Sequence, residues 1–409
     1  PMRTAPAAGP GREMTRVGPG VFDGLRLAAM DLRGEGEGTT AGVVLDARAR
    51  TATAVLALRG NSFALMSAAD QEARVAAWAS VLASLAREGS DVHRVQWVER
   101  SLPDAGGAVR RYFEDRCARA GSAAARSYGT LLDEAAPVTR RHRVLLAVSV
   151  HTSRSARAIR RSVGGDAGCG DVLGREARAL QRALEGADVW VDGLLGPAAL
   201  AAAVREAVLP AASAGRGGGG PALDGHRPAP PLSAGGAAPP APWPLAVRPE
   251  WDAVLTDGTW HATYWIAEWP RIEVTPDFLG PLLFSPDRRS ICLVMEPVSP
   301  IRAARQVARA RTADVADVEL RRRGGFLVGA RQHRERHSVE QRDAELADGH
   351  AQFRFAGYVS LTADSREGLD AAAVGLEQLA GQSHLELRRL YGEQDVALTC
   401  TLPIGRGLP

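Results

Sequence analysis

Four places in this 409-residue sequence bring together residues that could do chemistry. His333 and His337 stand four apart with Glu335 between them, which sets both imidazoles on one helical face as a possible metal pair. Zinc hydrolysis wants a glutamate directly after the first histidine, to activate water. Glu335 sits two after it, no third ligand lies nearby, and Arg331, Arg334 and Arg336 would repel a cation, so a solvated charged helix is the expectation. Gly165, Gly168 and Gly170 resemble a phosphate cradle, but a cradle needs a strand before it and a helix N-terminus after it. Arg160-Arg161-Ser162 precedes the glycines and Asp171 follows, so a plain loop leading into a helix at 171–185 is expected. Ser149 and His151 share a strand face with no acid beside them, and no nucleophile elbow occurs anywhere. Asp314, Asp317 and Glu319 read as members of intrahelical ion pairs such as Asp317 with Arg321.

Composition narrows the chemistry further. The sequence contains no lysine, so all 50 basic side chains are arginine. That rules out a Schiff-base lysine and the lysine of a P-loop. Cys117, Cys169, Cys292 and Cys400 form no C-x-x-C pair and are too scattered for a zinc framework, so they read as small apolar fillers in a reducing compartment. Neither a metal nor a cofactor is expected, and neither is catalysis.

What remains is arginine. Arg154, Arg157 and Arg161 form one helical stripe, Arg302, Arg305 and Arg309 another, and Arg321, Arg322 and Arg323 a run. With Arg331 and Arg334, the members from 302 onward make up a candidate interaction surface. Its partner could be nucleic acid, acidic lipid or protein. The net charge of +3 is too small to decide for nucleic acid, and few aromatics interleave the arginines, so base stacking is unsupported.

The elements that must carry these residues come in one order, twice: from Ala41 to Pro210 and from Trp251 to Pro403. Each pass reads strand hairpin, helix, strand, helical pair, strand, helix, strand and short closing helix. In the first pass Val43–Leu45 and Thr53–Leu58 make the hairpin. Ser67 caps a helix with Val75, Trp78, Leu82 and Leu85 inward, and 92–98 is a strand. Helices at 106–118 and 121–134 follow, then a strand at 142–150. In the second pass Asp257-Gly258 is a type I′ hairpin signal, and a short turn at 277–283 replaces the first helix. Ser299-Pro300 opens a long polar helical hairpin, 300–348. Asp364 with Glu367 resembles a capping box ahead of a helix facing Leu369, Ala373, Leu376 and Ala380 inward. The expected fold is α+β: two ferredoxin-like sandwich lobes made by internal duplication, 39–210 and 249–409, each with helices on one face and an inserted helical hairpin. Residues 1–38 read as a loose arm with one turn around Phe22–Met30, and the Gly/Pro/Ala-rich 211–248 as a flexible linker.

Several strings carry a resemblance: SFALMSAADQEARVAAW (62–78), REGSDVHRVQWVERSLPD (87–104), ICLVMEPVSPIRAARQVARARTADVADVELRRRGGF (291–326), FRFAGYVSLTA (353–363) and LRRLYGEQDVALTCTLPIGRGL (387–408). They resemble an uncharacterised family of actinobacterial membrane proteins encoded near conjugative-transfer genes, related to the non-ATPase N-terminal region of the conjugation ATPases of type IV secretion systems. The resemblance covers about 40 to 409. It implies a non-catalytic scaffold at the cytoplasmic face of the membrane, beside a separate motor ATPase and small membrane subunits, with a homo-oligomer as a further option. Relatives carry a pair of membrane spans ahead of the part matching Ala41. This sequence has no apolar run of about 18 residues, so the expectation is a truncated gene or spans lying upstream. An arginine-rich DNA-binding adaptor of conjugation is the alternative, and a hydrolase with an unfamiliar site the third reading.

Overall fold

The computed structural model describes residues 20–34, 36–59, 63–103, 107–117, 121–135, 140–209, 242–309, 312, 341 and 344–408. The mixed α+β fold is organised around one large antiparallel sheet of twelve strands among these residues. The sheet begins earlier than the sequence suggests. Instead of a loose arm, residues 25–34 form β1 (Leu25–Gly34), paired along its length with β2 (Gly36–Asp46). Its apolar pattern changes phase midway: Leu25 and Leu27 enter one core layer, Met30 and Leu32 the other. A strand covered on different faces along its length shows no single alternation, which hides it from a period-two reading.

The expected first hairpin joins β2 to β3 (Thr51–Arg59), with Val43 opposite Ala54. Its turn is held by Asp46 Oδ1, which accepts from the amides of Arg48 and Ala49 at 2.9 Å each. Then come α1 (Ala68–Leu85), β4 (Val92–Pro103), α2 (Gly107–Arg116), α3 (Ala123–Ala135) and β5 (Arg140–His151). Ser67 caps α1 as expected, and Trp78, Leu82 and Leu85 pack on the core together with Val81, whereas Val75 is exposed. After α4 (Ala156–Arg161) the long helix α5 (Gly165–Gly186) leads to β6 (Trp190–Leu194) and α6 (Pro197–Val208), whose proline occupies the first turn.

The second pass contains β7 (Val247–Pro249), β8 (Val254–Thr256) and β9 (Thr259–Glu268). Asp257 and Gly258, at φ 44° and 91°, make the type I′ turn between β8 and β9. Then follow α7 (Gly280–Leu283), β10 (Arg289–Pro297), helical residues 300–309, β11 (Phe353–Ala363), α8 (Arg366–Gln382), β12 (Glu386–Arg389) and α9 (Gln394–Thr399). Leu369, Ala373, Leu376 and Ala380 are the buried residues of α8, as its periodicity predicts. Its cap is Ser365, which accepts from the amide of Gly368, while Asp364 pairs with Arg288. Most of the expected hairpin 300–348 and most of the 211–248 linker lie outside the described residues. Residues 247–248 of that linker are nonetheless part of β7, and Trp243 is buried against Phe22 with ring centroids 5.7 Å apart.

Strand order runs β1-β2-β3-β5-β4-β10-β11-β9-β8-β7, with β6 added on β3 and β12 on β9. The two passes are therefore not separate bodies on a tether: β4 and β10 pair across the middle, from Arg289 opposite Ser101 to Met295 opposite Val95. Helices also cover both faces of the first half, against the expectation of one. Leu146, Val148 and Val150 of β5 face α1 and α5, whereas Leu145 and Ala147 join α6, Trp243 and the chain's last residues. The near-continuous apolar run of β5 is what a doubly covered strand requires.

The glycines read as a loop are the opening turns of α5, and they set how closely it packs. A Cβ on Gly168 would lie 2.5 Å from the Ile159 carbonyl of α4. One on Gly170 or Gly174 would lie 2.9 Å from the β1 carbonyls of Asp31 or Arg33. Backbone cannot retreat at these contacts, so we predict that Gly170→Val lowers stability by about 1–3 kcal/mol or more, seen as a reduced urea midpoint with an unchanged m-value.

Candidate functional site

The densest polar constellation lies where the two halves of the sheet meet. A β-bulge between Val92 and Arg94 displaces His93 from the ladder at the start of β4. Arg94, next along, is buried and reaches over β10. Its Nε and Nη2 donate to Glu296 Oε1 at 3.1 and 2.5 Å, Nη1 donates to the Gly405 carbonyl at 2.7 Å, and Nη2 also donates to Leu408 at 2.9 Å. Two strands and the end of the chain thus meet on one guanidinium.

The segment after α9 crosses this face as a strap. Gln96 Nε2 donates to the Cys400 carbonyl at 2.8 Å and Gln96 Oε1 accepts from the Gly405 amide at 2.7 Å. Tyr358 on β11 donates to the Gly407 carbonyl at 2.6 Å, and Arg406 donates to Asp46 Oδ2 at 2.7 Å. Gly405 has φ 77°, and a Cβ there would lie 2.3 Å from Ser149 Oγ, so the strap fits only as glycine. Ser149, weighed above as a nucleophile, is buried beneath it and bonded to Thr53 at 2.8 Å.

Beside the strap's anchor opens a cavity of about 300 Å³, with His93, His151, Arg154, Glu296, Arg302 and Arg354 in its wall. Arg154 donates to His93 Nδ1 at 3.1 Å. An arginine can only donate, so His93 carries its proton on Nε2, 3.6 Å from Glu296 Oε1. The His151 ring meets that of His93 edge to face at 5.2 Å. Burial pushes the His93 imidazole down to about 4; Glu296 opposes the shift, while Arg94 and Arg154 add to it. Burial, followed by Arg154, lowers His151 as well. At neutral pH the site therefore presents two uncharged imidazoles among guanidiniums, with the Glu296 carboxylate shared by Arg94 and Arg354. Such a wall suits an anionic side chain or group: among the described residues Arg302 makes no ion pair and the Arg154 guanidinium bonds only an imidazole.

Of the residues singled out in the sequence, Arg302 reaches this cavity. Arg305 and Arg309 are exposed on the same helical segment, whose inward residues are Ala303 and Val307. Arg321, Arg322, Arg323, Arg331 and Arg334 lie outside the described residues, as do His333, His337, Asp314, Asp317 and Glu319. Arg154, from the other stripe, arrives from across the sheet. Sequence reasoning missed His93, Arg94, Glu296 and Arg354. Glu296 gave a signal, since a carboxylate ending the apolar run Cys292–Met295 asks for a partner; the bulge that supplies His93 gave none.

The cysteines behave as fillers. Cys169, Cys292 and Cys400 are buried, and burial pushes the Cys169 and Cys400 thiols up to about 11, away from the nucleophilic thiolate. Among the described residues, no three His, Cys, Asp or Glu side chains converge to hold a metal. No helix of the described residues is long and apolar enough to cross a membrane. No family model matches the chain, and no curated protein does either.

The buried polar groups of the sheet generate two predictions. Arg94→Met leaves Glu296 buried without its main partner and should cost about 3–5 kcal/mol, and Arg94→Met/Glu296→Leu should recover part of that loss in a denaturant double-mutant cycle. The second concerns acid. His261 is buried between Thr256 and Thr362, its nitrogens 2.8 and 3.0 Å from their hydroxyls, and burial lowers it to about 4, like His93. Both are depressed below the unfolded value of 6.5, so the unfolded chain binds more protons between about 4 and 6.5. Stability is therefore complete above that window and falls as pH drops through it, by about 3 kcal/mol for His261. Thermal melts across the window should show the decline, and His261→Gln should flatten it.

Proposed function

We propose that this protein is a non-catalytic assembly component of a conjugative-transfer or related secretion machine, holding a motor ATPase and small membrane subunits at the cytoplasmic face of the membrane. We further propose that its halves are two ferredoxin-like units descended from an internal duplication. The observation that supports the duplication is strand order. The first pass reads β6-β3-β5-β4 and the second β12-β9-β11-β10, so the element order and neighbours of one half recur in the other. The second half keeps only the short α7 where the first has α1.

The continuous sheet changes how the scaffold reading is argued. Two lobes on a tether would offer two independent docking surfaces, and that premise no longer stands. What supports the reading now is the resemblance in the sequence, together with the position of one segment. Helical residues 300–309 leave the sheet directly after β10, at the seam, with Arg302, Arg305 and Arg309 outward. A polar arm rooted at the midpoint of a stiff platform can transmit a docking partner's position to both halves. The same arginines suit DNA, which is the second reading.

The test uses the purified motor ATPase of the machine and the full chain. Arg302→Glu/Arg305→Glu should weaken their complex by about tenfold or more, the scale of a lost charged contact at an interface. Deleting 324–340 should leave the thermal melt unchanged and abolish binding. Unaltered affinity in both variants would overturn the docking role. Duplex DNA binding whose salt slope shrinks in Arg302→Glu/Arg305→Glu would replace it with the adaptor reading.

A further inference from the structure

A second concavity, of about 560 Å³, lies along α5 and is lined by five arginines: Arg33 at the end of β1, Arg87 beyond α1, and Arg175, Arg178 and Arg182 on one face of the helix. The three helical arginines span about 10 Å. Several surface arginines elsewhere each have a carboxylate of their own: Arg48 with Asp23, Arg59 with Asp192, Arg288 with Asp364. Here, among the described residues, most do not. Arg175 is held by Asp91 at 2.6 Å and Glu176 at 3.1 Å, and Arg87 comes within 3.9 Å of that same Glu176. Arg33 and Arg182 make no ion pair with a described residue. Arg178 donates through Nη1 to the Leu32 carbonyl at 3.0 Å, while its Nη2 is buried and has no partner among the described residues. The one carboxylate in the wall among the described residues, Asp171, accepts from Ser162 through Oδ2 and leaves Oδ1 buried with no described partner.

We infer that this concavity binds a phosphorylated anion carrying more than one phosphate, either free or as a lipid headgroup. Guanidiniums gathered in a recess repel one another, and an anion among them removes that repulsion while supplying acceptors in the planar geometry their forks require. A buried donor without an acceptor costs stability, and a small shift of the Arg178 guanidinium toward the recess would let a phosphate oxygen supply one. A protonated phosphate oxygen or a ligand hydroxyl would satisfy Asp171 Oδ1. Gly174 makes the arrangement possible: a Cβ there would stand 3.0 Å from Arg178 Nη2 as well as 2.9 Å from the Arg33 carbonyl, crowding the guanidinium out of its position. The site is separate from the proposed docking role, because none of its five arginines lines the seam cavity.

Calorimetric titration of the full chain with inorganic tripolyphosphate tests this. Binding should be saturable and should weaken about tenfold or more in Arg33→Glu/Arg182→Glu. Both residues are exposed, and an unchanged melting temperature would confirm the fold of that variant. Arg178→Lys keeps the charge and loses the fork, so it should fall between wild type and the double variant. Co-sedimentation with phosphatidylcholine vesicles containing phosphatidylinositol bisphosphate separates the sources. Binding to vesicles alone, lost in Arg33→Glu/Arg182→Glu, assigns the site to a lipid headgroup. Binding to neither, or equal binding by wild type and the charge-reversed variant, overturns the inference.

Discussion

Everything else in this fold depends on one guanidinium, that of Arg94. It satisfies Glu296 across the seam and two carbonyls of the terminal strap at once, joining β4, β10 and residues 405–408. A buried ion pair is weak evidence of stability in itself, because desolvation offsets the attraction. Here the pair specifies arrangement. With Arg94 bonded in all these directions, the register of β4 against β10 and the path of the strap are fixed together. Gln96 on the same strand, Tyr358 on β11 and Asp46 on β2 add bonds to the same segment.

The seam cavity follows from that geometry. The bulge that accommodates Arg94 turns His93 toward Arg154 and His151, and the end of β10 brings Glu296 and then Arg302 to the same spot. Its side chains come from β4, β5, β10, β11, the turn ahead of α4 and the helical residues 300–309, so the wall exists only when both halves are assembled. That distinguishes it from the concavity on α5, whose five arginines come from the first half alone.

How much of this could be read from the residues depended on whether the signal was local. The β2–β3 and β8–β9 hairpins and the inward face of α8 each follow from a few neighbouring residues, and each stands where expected. β1 escaped because its coverage changes sides at Ala28-Ala29. The start of α5 escaped because glycine normally breaks helices, while here Gly168 and Gly170 are required by backbone 2.5 and 2.9 Å from where a Cβ would sit. The union of the halves was invisible for a different reason. Val95 and Met295 look like residues of any internal strand, and nothing in either says that they face each other across 200 positions of chain. Of the candidate surface, Arg302 was found by its helical spacing. Arg178, by contrast, stands in an ordinary amphipathic helix, and its significance is the buried Nη2.

The strap also bears on how the protein is made. Its anchors in the first half, Asp46, Thr53, Arg94 and Gln96, leave the ribosome some 300 residues or more before Ile404, Gly405 and Arg406 do. During that interval the face of β3, β4 and β5 that carries Val55, Val98 and Leu145 lacks part of its cover, and the Arg94 side chain lacks its acceptors. Contacts so distant in sequence close slowly and leave apolar surface open to other chains meanwhile. Translation therefore has to protect a half-built sheet, and a nascent chain stalled before Cys400 would be a substrate for chaperones rather than a smaller working protein.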